Sequence, residues 1–269
     1  MDQYRKAPGV SQSTLKCVVK NDFSVPSGTN VGSLVDSILY LKTTEPYRVC
    51  EIPDKYLIAL QSKDPLGKIR ELGHYPNWTD ETHLSNLKKH SEAFNELGDK
   101  TPVSKKDWDL AHEIVEIIEK DPIWIQKKNG LYQVPLFGEI SGVKIKGLLD
   151  QLHIEEKVIR DLKVTDAKLS EWQYIAKRLM YPFQASFYKE LVRQNYYTEC
   201  NFEWLVYSIP EKRMACFIAS EKDLEVGEYG NAYTKGWREA LDIYKKCKNK
   251  ADYYLPFYEG NGCIKTNIY

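Results

Sequence analysis

Two aspartates interrupt a pair of apolar, alternating runs between residues 142 and 164, GVKIKGLLDQLHIEEKVIRDLKV. The alternation has a period of two and breaks near Glu155-Glu156, which predicts an antiparallel hairpin with its turn there. Residues equally far from the turn face each other, so Asp150 is expected across from Asp161 or its immediate neighbour. Lys163 is two residues beyond Asp161 and shares its face. The segment therefore predicts that two carboxylates and one ammonium group converge within a β-sheet.

Carboxylates that face each other across two strands repel by up to about 1 kcal/mol, and by more where they are half-buried. A divalent cation between them removes this conflict, and hard oxygen ligands suit Mg²⁺ or Mn²⁺. Such a site can act on a phosphoryl group, with Lys163 orienting a water molecule or stabilising charge on the phosphate. The alternative is a surface hairpin with a salt bridge between Lys163 and an aspartate. Spacing alone leaves both interpretations open.

The order of predicted elements indicates an α/β (α+β) fold. Residues 1–100 are predicted to be mainly helical, and a capped amphipathic helix follows Ser104 and spans residues 107–120. A strand meander is predicted next, then a helix, a second hairpin and a last helix, with the following bounds: strands 131–139, 143–154 and 157–164, helix 170–194, strands 202–209 and 213–220, and a helix from 225 or later to 250. We therefore expect a single domain over residues 1–269, with a core at 104–220 and a C-terminal helix and tail at 221–269.

Composition excludes several classes of protein. Hydrophobic residues make up 42% and charged residues 28% of the chain, which excludes a disordered protein. No apolar run is long enough to span a membrane, and the first 16 residues lack the apolar stretch of a secretion signal, so we expect a cytoplasmic protein without membrane contact. The 38 basic residues balance 38 acidic ones, and the six cysteines form no C-x-x-C pair and are expected to be reduced thiols.

Gln184 and Tyr188 stand four residues apart in YPFQASFYKEL and project from one helix face. Alone, this spacing is also typical of an amphipathic helix with its tyrosine in the core. Together with the hairpin it gives the order K-G-x-x-D, D-x-K, Q-x-x-x-Y, which resembles the PD-(D/E)XK nuclease superfamily, specifically the RecB-like and RecE-like phage exonucleases that include lambda exonuclease. The segments SQSTLK (11–16) and GTNVGSLVDSIL (28–39) resemble the RecE-like phage group. The resemblance covers residues 11–188.

The resemblance implies a restriction-endonuclease-like core, in which helices flank a central mixed β-sheet, with a helical N-terminal extension. It implies that Asp150 and Asp161 bind Mg²⁺ or Mn²⁺ with the backbone carbonyl of Leu162, that Lys163 is the catalytic lysine, and that Gln184 and Tyr188 support the site. Many relatives carry a histidine where this chain has Asp36. Asp36 is either a further oxygen ligand or an ordinary helix residue.

Two further groups of residues remain open. Glu139 lies one strand away from Asp150 and is a candidate ligand, although a solvated face is the simpler explanation. A basic cluster near the end of the last predicted helix is either a phosphate-contacting surface or a solvated helix end favoured by the helix dipole; it comprises Lys245, Lys246 and Lys248.

The resemblance implies a Mg²⁺-dependent DNA exonuclease of phage or prophage type that acts in recombination or DNA end processing, in the cytoplasm of a bacterial host. The alternatives are an endonuclease or single-strand-specific nuclease of the same fold, or a catalytically silent DNA-binding or scaffold member. DNA is the expected partner, and the family also suggests a single-strand annealing protein and a ring-shaped homo-oligomer. The cysteine spacing predicts no iron–sulfur cluster, and the lack of a phosphate-binding loop motif predicts no use of ATP.

Overall fold

A computed structural model describes residues 4, 6–20, 31–60, 62–72, 79–248, 258–259 and 263–264. Within it the chain forms two compact units, one of Met1–Val25 with Lys120–Tyr269 and the other of Pro26–Glu119. Each unit is described by itself, and the single domain over residues 1–269 stays a prediction. Among the described residues, no helix has both the length and the apolar character needed to cross a membrane.

The helices of the described residues, in chain order, are α1 (Gln12–Lys20), α2 (Val31–Asp36), α3 (Asp54–Leu60), α4 (Pro65–Leu72), α5 (Asp80–Asn95), α6 (Lys105–Lys120), α7 (Pro122–Lys127), α8 (Trp172–Arg178), α9 (Tyr181–Tyr196), α10 (Glu221–Tyr229) and α11 (Trp237–Lys248). A π-helical turn, Ser37–Leu41, continues α2. The strands are β1 (Tyr47–Val49), β2 (Thr101–Val103), β3 (Leu131–Ile140), β4 (Val143–His153), β5 (Val158–Thr165), β6 (Asn201–Ser208), β7 (Arg213–Ile218), β8 (Tyr258–Glu259) and β9 (Cys263–Ile264).

The larger unit is built on a five-stranded mixed sheet in the order β3-β4-β5-β6-β7. β5 and β6 run parallel, and the other neighbours are antiparallel. β4 alternates between buried and more exposed residues as its sequence predicts, and its buried side chains join a core that includes Phe187 and Leu191 of α9. The prediction of a central mixed sheet with flanking helices is confirmed.

The hairpin between β4 and β5 is confirmed, but the two strands pair over only three residues each. The last pair is Gln151 with Arg160, after which β4 continues beside β3 and β5 continues beside β6. The edge of β4 that β5 leaves is partly covered by Val10, whose N–H donates to the Lys144 carbonyl at 2.9 Å. Asp150 and Asp161 are the first residues beyond the last pair, so both lie where the strands separate.

Two of the predicted helices are each divided. The helix predicted at 170–194 consists of α8 and α9, because Met180 adopts a left-handed conformation (φ 56°) between them and Pro182 stands in the first turn of the new helix. The last helix is divided into α10 and α11 at Gly230 (φ 86°) and begins earlier than predicted. Its true start is set by Ser220, whose hydroxyl accepts a hydrogen bond from the Asp223 N–H at 3.2 Å in a capping box.

The smaller unit is mainly helical, as predicted for most of residues 1–100. Its core gathers side chains of α3, α4 and α5, among them Tyr56, Ile69 and Leu87. The Ser104 cap of α6 is confirmed, since the Ser104 hydroxyl accepts from the Asp107 N–H at 3.0 Å. The short parallel pair of β1 and β2 was not predicted, because three-residue strands show no readable alternation.

A buried ionic network fixes the turn end of the β4–β5 hairpin. Arg160 donates through Nε to Glu203 of β6 at 2.8 Å and through Nη2 to Glu156 of the turn at 2.7 Å. Lys127 of α7 donates to the same Glu203 oxygen at 3.0 Å. His153 lies buried beside this network, and burial followed by the positive charge of Arg160 lowers the pKa of its imidazole. The network therefore holds a neutral histidine among charged neighbours.

This pKa predicts that acid weakens the fold through His153. The unfolded chain has the ordinary histidine pKa of about 6.5, so as pH falls it takes up a proton before the folded protein does. His153 therefore does not lower the free energy of unfolding above about pH 6.5, and lowers it increasingly as the pH falls below that. We expect the urea midpoint to fall between pH 7.5 and pH 5.5, and to fall less in His153→Gln. An equal fall in both proteins would contradict this assignment.

Candidate functional site

Asp150 and Asp161 are joined through the backbone at the point where β4 and β5 separate. The Asp150 carboxylate accepts a hydrogen bond through Oδ2 from the Leu162 N–H at 3.1 Å. Leu162 directly follows Asp161 on β5. The period-two register of the sequence thus brings the two aspartates to neighbouring positions on adjacent strands.

Asp161 is the most enclosed charged group of the cluster, with only 2% of its surface exposed. One carboxylate oxygen, Oδ1, accepts a hydrogen bond from the Gln184 amide at 3.0 Å. The other, Oδ2, forms an ion pair with the ammonium group of Lys163, which also donates to the Leu162 carbonyl at 3.4 Å. Burial disfavours the charged lysine, but the attraction of Asp161 and then of Asp150 outweighs burial and raises the pKa of Lys163.

The helix α9 brings Gln184 and Tyr188 to this cluster from one face. Its close approach to β4 requires Gly147, where a Cβ would lie 2.6 Å from Leu191 Cδ1 and 3.0 Å from Tyr188 Cε1. Burial, and then the negative charge of Asp161, raises the pKa of Tyr188, so its hydroxyl is neutral at physiological pH. The predicted set of Asp150, Asp161, Lys163, Gln184 and Tyr188 is therefore brought together by three elements.

Two residues that the sequence reasoning missed lie beside Lys163. The ring of Tyr181, the first residue of α9, has the Lys163 ammonium 5.2 Å from its centre and the Lys16 ammonium 5.5 Å from its centre. Lys16 of α1 also donates to the Leu179 carbonyl at 3.1 Å. Two sequence features could have drawn attention to these residues. Lys16 ends the SQSTLK segment, and Tyr181 lies three residues before Gln184. Neither spacing predicts a contact between distant segments.

The cluster offers hard oxygen donors that fit a divalent cation. Asp161 Oδ2 is buried and is paired with the Lys163 ammonium. The Asp150 carboxylate accepts from the Leu162 N–H, and the Leu162 carbonyl accepts from the same Lys163 ammonium. Within the described part of the chain, no group of three or more His, Cys, Asp or Glu side chains is placed to hold a metal ion. A cation here would therefore take two carboxylates, a backbone carbonyl and water, a set that suits Mg²⁺ or Mn²⁺.

Glu139 is not brought to this cluster. It is exposed and pairs with Lys144, at the opposite end of β4 from Asp150. Six residues separate Lys144 from Asp150, which corresponds to about 20 Å along a strand. The prediction placed Glu139 on the correct neighbouring strand, but the antiparallel register sends it away from the site. Asp36 ends α2 in the smaller unit, and its role as a ligand stays a prediction.

One lysine of the basic cluster of α11 also has a contact within the fold. Lys245 donates to the Ser141 carbonyl at 2.8 Å and so holds the helix to the turn between β3 and β4. Lys246 is exposed. Lys248 ends the helix, and its side chain lies outside the described residues. Phosphate contact by these lysines stays a prediction.

The Lys163–Asp161 pair predicts a stability effect that does not depend on catalysis. Lys163→Met leaves a buried carboxylate without its cation, and we expect the free energy of unfolding in EDTA to fall by up to about 3 kcal/mol. Adding Asp161→Asn to the same chain removes the stranded charge and should restore much of the loss. Urea unfolding of the wild type, both single variants and the double variant measures the coupling. A single Lys163→Met variant as stable as the wild type would show that the pair is not formed.

The chain is similar to one known family and to several solved structures. Residues 29–253 match the family described as "PDDEXK-like domain of unknown function (DUF3799)". A structure named "Putative exonuclease" from Eubacterium rectale is similar over 91% of this chain and 79% of its own, at 19% identity and a TM-score of 0.49. A phage related exonuclease from Haemophilus somnus is similar over 88% and 89%, at 14% identity and a TM-score of 0.32. No curated protein matches the chain by sequence. Since the family match covers most of the residues, the chain belongs to the PDDEXK-like domain family.

Proposed function

We propose that this protein is a metal-dependent deoxyribonuclease that hydrolyses phosphodiester bonds. The observation that carries the proposal is the meeting of Asp150, Asp161 and Lys163 where two strands separate, with a buried Asp161 oxygen paired to the Lys163 ammonium. Membership of the PDDEXK-like family supports it. DNA is the proposed substrate.

The residues of the chain have distinct roles in this proposal. Asp150, Asp161 and the Leu162 carbonyl would hold Mg²⁺ or Mn²⁺, which when bound polarises a phosphoryl oxygen and lowers the pKa of a water molecule. Lys163 is fully charged and would orient the attacking water or stabilise the charge that develops on the phosphate. Gln184 fixes the orientation of the Asp161 carboxylate through its amide. Tyr188, neutral and buried, packs α9 against Gly147 and keeps Gln184 in place.

The finer proposal is an exonuclease of phage or prophage type that acts in recombination or DNA end processing. It rests on the similarity of the SQSTLK, D-x-K and Q-x-x-x-Y motifs to the RecE-like group. A single-strand annealing partner and a ring-shaped oligomer rest on the same similarity. An endonuclease or a single-strand-specific enzyme would use the same cluster, so substrates must distinguish these activities.

The first experiment is a timed digestion of end-labelled linear duplex, covalently closed circular duplex and single-stranded DNA with Mg²⁺, Mn²⁺ or EDTA. We expect metal-dependent loss of the linear substrate, and a rate lower by about 100-fold or more in Asp161→Asn and in Lys163→Met. Asp242→Asn, an exposed aspartate on α11, is the matched control and should keep the wild-type rate.

Each substrate in this digestion decides a different part of the proposal. Cleavage of the closed circle would replace the exonuclease by an endonuclease, and cleavage of single strands alone would indicate a single-strand-specific enzyme. No cleavage of any substrate with either metal would contradict the nuclease and favour a DNA-binding member of the family.

Gln184 offers a second test, because it contacts Asp161 and not the substrate. Gln184→Leu removes the hydrogen bond that orients the carboxylate, so we expect the Mg²⁺ concentration for half-maximal rate to rise about 10-fold to 100-fold. Gln173→Leu, at an exposed position of α8, makes the same chemical change away from the cluster and should leave the Mg²⁺ dependence unchanged. Identical Mg²⁺ titrations for the two variants would exclude this role of Gln184.

A further inference from the structure

Lys16 is placed beside the proposed nuclease centre, but it has no part in the chemistry assigned above. It belongs to α1, which is fixed by the buried side chains of Leu15 and Val18 and packs against α9 and α11. From there the Lys16 ammonium reaches the Leu179 carbonyl at the end of α8. A segment more than 160 residues away in sequence from α8 and α9 thus contributes a cation to their junction.

The junction that receives Lys16 is rigid. Tyr181 stacks on Trp172, with ring centres 5.3 Å apart and an interplanar angle of 25°, and Trp172 in turn packs against Phe217 of β7. Met180, directly before Tyr181, is held in the left-handed conformation. The stack on Trp172 therefore holds the Tyr181 ring in place. The ammonium groups of both Lys16 and Lys163 lie within 5.5 Å of the centre of this ring.

The two lysines differ in how their charge is balanced. Lys163 is paired with Asp161, whereas Lys16 forms no ion pair with a carboxylate among the described residues. Its ammonium contacts the Leu179 carbonyl and the Tyr181 ring. Burial, and then the positive charge of Lys163, lowers the pKa of Lys16 to about 7. A partly buried cation without a directly paired carboxylate is costly, and a bound anion offsets that cost.

We propose that Lys16, placed over Tyr181, is a phosphate-binding residue that contacts a backbone phosphate of DNA next to the phosphodiester held by Asp150, Asp161 and Lys163. The inference rests on the proposed function, because that function supplies DNA as the ligand. Lys16 is a positioning residue in this arrangement. It holds the strand in register with the centre and takes no part in bond cleavage.

A purely structural role for Lys16 has a different signature. A lysine that only caps the end of α8 stabilises its last carbonyl groups and contributes to folding. Lys16→Gln separates the two roles, because the glutamine amide can still donate to the Leu179 carbonyl but carries no charge. Lys16→Arg keeps the charge, and Lys222→Gln makes the same change at an exposed position of α10 as the matched control.

The first measurement is binding of a short fluorescent duplex in EDTA, by anisotropy, over a range of salt concentrations. Loss of one phosphate contact lowers the slope of log affinity against log salt by about one. We expect this reduction in Lys16→Gln, a slope close to wild type in Lys16→Arg, and no change in Lys222→Gln. Thermal unfolding of the same proteins shows whether stability has changed. The proposal is overturned if Lys16→Gln has the wild-type slope. It is also overturned if Lys16→Arg shows the same reduced slope as Lys16→Gln.

The second measurement separates positioning from chemistry. With Mg²⁺, Lys16→Gln should raise KM for DNA with kcat within about twofold of wild type, since uniform binding is lost, while Lys163→Met should lower kcat. If the wild type binds DNA without cleaving it, the proposed nuclease activity is wrong. The slopes of log affinity against log salt then decide the role of Lys16 alone. If the wild type cleaves DNA and Lys16→Gln has the same slope as the wild type, the nuclease activity is supported and the proposed role of Lys16 is wrong. A wild type that does not bind DNA overturns both.

Discussion

The separation of β4 from β5 is the constraint on which the candidate site depends. While two strands stay paired, their backbone groups satisfy each other and their side chains alternate between the two faces. Here the pairing stops at Gln151 and Arg160, and the Leu162 N–H is taken by the Asp150 carboxylate. The carboxylate thus replaces a strand partner. The Asp150 carboxylate therefore takes the hydrogen bond that a neighbouring strand would otherwise accept. This explains how a charged group is retained inside an apolar hairpin.

The network on the other side of β5 makes this separation possible. Arg160 and Asp161 are adjacent, so their side chains point to opposite faces of the sheet. Arg160 ties the turn to β6 through Glu156 and Glu203, and this anchors the short paired end of the hairpin. The open end then carries Asp161 toward α9. A buried ion pair is weak evidence for stability on its own, but here it fixes which residues remain paired and which are released.

Local sequence patterns predicted the parts of the site that lie within one hairpin or one helix turn. A period of two placed Asp150, Asp161 and Lys163 together, and a spacing of four placed Gln184 and Tyr188 on one face of α9. Contacts between distant segments were not predictable in this way. The approach of Lys16 to Leu179 has no local signal, because it depends on how α1 packs. The division of the helix at Met180 does have one in Pro182, since a proline inside a helical pattern marks the start of a new helix. Glu139 was misjudged for a related reason, since proximity of strands does not fix position along them.

The two lysines over Tyr181 show how the same side chain acquires different properties from its neighbours. Burial opposes the charge of both lysines. At Lys163 the attraction of Asp161 and Asp150 outweighs burial and raises the pKa. At Lys16 burial and then the repulsion of Lys163 outweigh the attraction of Asp161, and the pKa falls to about 7. A cation held by the two aspartates would compete with Lys163 for Asp161 Oδ2, because that oxygen is the one Lys163 contacts. Release from Asp161 would leave two ammonium groups near one ring with less negative charge between them. In the proposed function, a DNA phosphate would balance both charges.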